Sequence, residues 1–130
     1  MTCRPFIAFC LATGLVAAAG ADEAGRAEYL ASCASCHGET GAGDGPLAEL
    51  MTVSMPALTG LSAANDGAFP MLKVIQVIDG RVGIRGHGYP MPVWGARYKA
   101  DAMGSGDYAA EIETRGRLLS LALYLQSIQE

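Results

Sequence analysis

Basic residues are in short supply: nine Lys and Arg stand against thirteen Asp and Glu, a net charge of −4. That deficit argues against a nucleic-acid face, which needs clustered positive charge to displace counterions from phosphate. It argues equally against a polybasic contact with anionic lipid. Long strand-type runs are scarce, so an all-β sandwich is not expected. With 130 residues there is room for one small domain and not for two. Histidine is rare as well, only His37 and His87, and no repeats or low-complexity tracts interrupt the sequence.

What is abundant is apolar sequence at the start. Arg4 is the only charge before Asp22, and the uncharged run between them ends in Ala19-Gly20-Ala21, a small-residue cleavage pattern. The run is short for a spanning helix and is followed at once by Asp22 and Glu23. We therefore read residues 1–21 as an export signal and residues 22–130 as the mature domain. An uncleaved anchor is the alternative, and cleavage after Ala19 rather than Ala21 stays open. A lipoprotein signal would need a small residue before Cys10, where Phe9 stands. Removal of the segment takes Arg4 with it, moves the net charge from −4 to −5, and leaves two of the four cysteines, Cys33 and Cys36.

These two lie in Cys33-Ala34-Ser35-Cys36-His37. The pattern C-x-x-C-H in an exported protein reads as covalent haem attachment. Two thiols at this spacing lie on one side of a helical turn and reach the two vinyl groups of one haem edge. The next residue, His37, then brings its imidazole under the iron. Three other readings compete. A zinc site needs four ligands, usually in two pairs, and no second cysteine pair exists. A thioredoxin-like motif should follow a buried strand, whereas residues 24–32 read as helix. A structural disulfide would close too small a loop to stabilise much.

The protein resembles a class I c-type cytochrome of the small, soluble, bacterial monohaem kind. Besides the pentapeptide, Gly25 and Tyr29 stand eight and four residues before the first cysteine, where that family carries a glycine and an aromatic. Leu118, Leu121, Tyr124, Leu125 and Ile128 form a stripe at helical spacing, as in the family's last helix. A residue without Cβ at Gly25 would let two helices approach closely. The resemblance implies an all-α, cytochrome c-like domain wrapped around one covalently bound haem c. It implies an electron carrier rather than an enzyme, working between redox partner proteins in the periplasm. It also implies a proline carbonyl that accepts the second N–H of His37. Pro46, nine residues on, is the candidate.

In this family the distal ligand is usually a methionine from a late loop, and Met91 fits. It lies in Gly88-Tyr89-Pro90-Met91-Pro92-Val93-Trp94-Gly95, where two prolines stiffen the backbone. A stiff loop holds a weak thioether without an ordering cost at each redox change. His37 and Met91 are thus the expected metal ligands, with Cys33 and Cys36 the covalent attachment points. His87 could replace Met91, or join Arg81 and Arg85 at the haem propionates; a solvated loop is the plain alternative for those three. Met71 reads as a core helix residue and Met103 as surface, while Met51 and Met55 follow the glycine-rich loop. Trp94, Leu58, Ile75 and Val93 are expected to wall the haem. Helices are expected from Pro70 to Asp79, stopped by Gly80, and from an Asp107 cap to near Gln129. Two rival functions stay open: a haem subunit of a larger dehydrogenase or oxidase, and a gas-binding or catalytic haem protein with a displaceable sixth ligand.

Overall fold

The computed structural model describes residues 17–81 and 91–130, and side chains from Glu23 onward. The first sixteen residues of the expected signal, and Arg85, His87 and most of the loop before Met91, lie outside the described residues. Among the described residues the architecture is all helix, with no strand. The described residues hold five helices connected by loops and short 3-10 turns: α1 (Ala17–Ser32), α2 (Ala34–His37), α3 (Met71–Asp79), α4 (Trp94–Ala102) and α5 (Asp107–Ser127). No helix among the described residues is long and apolar enough to cross a membrane.

The first and last helices cross where the sequence allows closest approach. A Cβ on Gly25 would overlap the Ser120 carbonyl and stand 2.8 Å from Tyr124 Cβ, so only glycine fits there. Next to it, fully buried Tyr29 packs on Tyr124 with ring centroids 5.2 Å apart. The Glu28 carboxylate takes two 2.9 Å hydrogen bonds from the Arg117 guanidinium, tying α1 to α5 through a forked pair. Arg117 also lies 3.8 Å over the Tyr98 ring, drawing α4 into the same junction. The buried Tyr98 hydroxyl lies beside the Glu28 carboxylate and the Ser32 hydroxyl, and burial raises it above the usual phenol range.

α3 starts after Pro70 and stops at Gly80, as its sequence indicates. The Gly80 φ of 85° lets the Gly80 N–H reach Val77 O and the Arg81 N–H reach Gln76 O, closing the helix end. Two expectations need correction. Asp107 is the first residue of α5 and makes no side-chain hydrogen bond as a cap; the backbone enters through Gly106 at φ 87°, and the carboxylate acts only through the helix dipole. The sequence predicts a proline-flanked loop over 83–95, whereas a helix already starts at Trp94 and runs to Ala102. Trp94, Tyr98 and Ala102 recur every four residues, and burial of Tyr98 and Ala102 against α5 makes this segment helical.

Candidate functional site

The segment 33–37 is one helical turn folded onto the end of α1. The Cys33 carbonyl accepts from the N–H groups of Cys36 (3.1 Å) and His37 (2.9 Å). The Tyr29 hydroxyl, driven well above the usual phenol range by burial and so held as a donor, gives a 2.6 Å hydrogen bond to Gly38 O, just past the histidine. The glycine-rich loop then returns along the motif backbone. Gly43 N–H donates to His37 O (2.8 Å), Gly45 N–H to Cys36 O (3.2 Å) and Leu47 N–H to Ser35 O (2.8 Å). A Cβ on Gly45 would come within 2.7 Å of the carbonyl oxygens of Ala34 and Ser35, so this contact explains one of the glycines.

His37 is 5% exposed, and its Nδ1 lies 3.1 Å from the carbonyl oxygen of Pro56. A carbonyl can only accept, so Nδ1 carries the proton of this contact, and the lone pair available to a ligand-binding imidazole is the one on Nε2. Among the described residues Nε2 has no hydrogen-bond partner. Pro46 is not the acceptor. Its neighbours Gly45 and Leu47 are bonded back to the motif, which leaves Pro46 exposed, and the backbone reaches the imidazole only after nineteen residues, at Pro56.

The ring opens onto an apolar cleft of about 230 Å³. Cys33 and His37 line one part of it, Pro56, Leu58 and Leu61 another, and Val74, Val77 and Ile78 of α3 a third, with Met91 also in the wall. Among the described residues Lys73 is the only Lys, Arg, Asp or Glu in the lining, a role that sequence reasoning missed because the lysine reads as the polar face of α3. Cys36 is half-buried. Met91 is the one methionine among the described lining residues; Met71 packs on the core from the start of α3, and Met103 is on the surface. Of the four expected wall residues only Leu58 lines the cleft. Ile75 and Trp94 pack on the core instead, and Val93 covers Gly80. Arg81 pairs with Asp79 and borders a different groove, so it does not face the cleft.

The chemistry of this turn separates the readings. Burial pushes the Cys33 thiol up to about 12. A disulfide-exchange motif needs the opposite shift, toward thiolate. Among the described residues no three His, Cys, Asp or Glu side chains come together as a metal cluster, as a zinc site would need. A cytochrome c profile matches residues 23–105, from α1 to the turn before α5. The protein belongs to the cytochrome c family. Comparison with curated proteins and with solved structures gives no match. Family membership brings one covalent haem c, and the residues fit that group. One attachment turn presents two thiols, a buried imidazole offers a lone pair, and a cleft with almost no polar lining lies in front of it.

Proposed function

We propose that this cytochrome c is exported and carries single electrons between redox partners in the periplasm, with His37 and Met91 as axial ligands and Cys33 and Cys36 as thioether anchors. The observation that carries the reading is the shared cleft. An imidazole oriented by a carbonyl, a buried thiol and one methionine side chain open onto the same apolar space. When bound, the haem supplies one-electron exchange between ferric and ferrous iron. The Pro56 carbonyl orients His37 and makes it a better donor. A methionine thioether favours the ferrous state relative to a second nitrogen. The aliphatic walls exclude water and favour the less charged site in the same direction. Prolines on both sides of Met91 in the sequence would stiffen its backbone, so both ligands would stay in place and little reorganisation would accompany each electron. This is why we assign a carrier and not an enzyme. Residues 1–21 would act as the export signal, and the acidic mature surface would favour partners with basic docking patches, with steering that weakens in salt.

Optical spectra and intact mass of the exported protein test the assignment. We expect one covalent haem, start of the mature protein at residue 20 or 22, and a low-spin spectrum in both redox states with methionine ligation. The reduced protein should resist carbon monoxide at neutral pH. Ready binding would replace the carrier by a gas-binding or catalytic haem protein, and constant co-purification with a dehydrogenase or oxidase would make it a fixed subunit.

A further inference from the structure

One face of α5 is unused by everything described so far. Leu118, Leu121, Tyr124 and Leu125 point into the core, and Arg117, Ser120 and Tyr124 meet α1. On the other side stand Tyr108 (81% exposed), Ile112 (52%), Leu119 (47%) and Leu123 (37%). At helical geometry these four fall within roughly 60° of arc over about 22 Å. Single exposed apolar residues are ordinary; a continuous stripe of this kind marks an interaction surface.

The spacing of the stripe identifies the occupant. The gaps between the four residues are four, seven and four, so the pattern reads the same in both directions. Turned end over end, Tyr108 of one copy meets Leu123 of another, and Ile112 meets Leu119. That is the self-complementarity a two-fold interface requires. The midpoint falls between Arg115 and Gly116. Gly116 costs helix stability, and no described residue explains it, since a Cβ there would meet no atom within 4 Å. At the crossing point of two helices its missing side chain has a use, the same one that Gly25 has against Ser120. Charge along one edge of the stripe is paired within each copy: Glu111 holds Arg115 at 2.8 Å and Lys99 at 3.2 Å. The two-fold brings the two Arg115 side chains together near the axis, each with its own carboxylate beside it. Leu72, 69% exposed, lies across a groove from Leu119 and extends the apolar surface.

We propose that this face of α5 joins two copies of the protein, antiparallel about a two-fold axis centred between Arg115 and Gly116. Sedimentation of the mature haem-loaded protein from about 1 μM to about 1 mM tests it. The mass should rise from one copy toward two. Ile112→Glu or Leu119→Arg alone should weaken association by about ten-fold or more, because each buries an unpaired charge. The double variant should recover most of that loss, because position 112 then faces its opposite charge at position 119. Gly116→Leu should weaken association while the thermal midpoint of the monomer holds or rises and its haem spectrum is unchanged, which separates lost docking from lost fold. A single-copy mass across the whole range overturns the proposal, as does a dimer indifferent to Leu119→Arg or a double variant without recovery. Protection of this face only in the presence of a different redox protein assigns it to that protein and overturns the proposal too. Mass is read without reference to the axial ligands, so this outcome stands apart from the fate of the carrier assignment.

Discussion

The α1–α5 crossing and the cleft beside it are neighbours held by opposite means. At the crossing the protein completes itself: Glu28 is forked by Arg117, Tyr29 stacks on Tyr124, its hydroxyl is bonded to Gly38 O, and Gly25 admits the facing backbone. In the cleft, Leu58, Leu61, Val74, Val77 and Ile78 line open space, and His37 offers a lone pair that no described residue takes. The crossing is a junction of helices. In the function we propose, the cleft is one wall of a contact whose other wall is the haem. The two halves should therefore fail separately.

The largest effect should come from His37→Ala. It removes the oriented imidazole, so the low-spin spectrum should be lost, while circular dichroism keeps most of the helix because the crossing is untouched. Loss of both together would mean that the crossing depends on the cleft. Gly25→Val tests the other half. Its side chain would overlap the Ser120 carbonyl, and we expect about 3 kcal/mol of destabilisation in urea melts; a drop well under 1 kcal/mol would mean that the helices can simply slide apart.

Arg117→Ala should cost roughly 1–2 kcal/mol, since it leaves Glu28 partly buried without its fork. The pH dependence has a definite sign. Partial burial raises the Glu28 carboxyl, but Arg117 and the other hydrogen bonds outweigh it and hold the group below its ordinary range. A lowered folded-state value means that this stabilisation is complete above the unfolded carboxylate range and is lost as pH falls through the folded value. Glu28→Gln should thus flatten the acid limb of a stability–pH curve and leave the haem spectrum alone. The smallest effect is a gain: Gly116→Ala should raise the stability of dilute monomer by up to about 1 kcal/mol, read as a higher thermal midpoint.

Much of the crossing was legible in the sequence, because its signals are periodic. Gly25 and Tyr29 lie one turn apart, and Leu118, Leu121, Tyr124 and Leu125 repeat at helical spacing, so the buried face of α5 follows from pattern alone. The cleft was less so. The turn over residues 33–37 is local and reads from its spacing, and Met91, which its two prolines single out, stands in the cleft wall. The rest of the wall was not legible: Ile75 and Trp94 have the right composition for a wall but pack elsewhere, and Lys73 enters the lining from a position that reads as solvent-facing.

Spacing within a single turn of backbone was enough to bring Cys33 and His37 to one cleft, because neighbours in sequence have few ways to be placed. The acceptor for that imidazole was another matter. Pro46 and Pro56 look alike as letters, and the choice of Pro56 came from a loop that spends its hydrogen bonds on the attachment turn before it reaches back to the ring. The α4 helix and the partner of Gly25 were likewise settled by surfaces supplied from α5. Contacts between distant segments depend on how whole elements pack, and only the folded protein decides that.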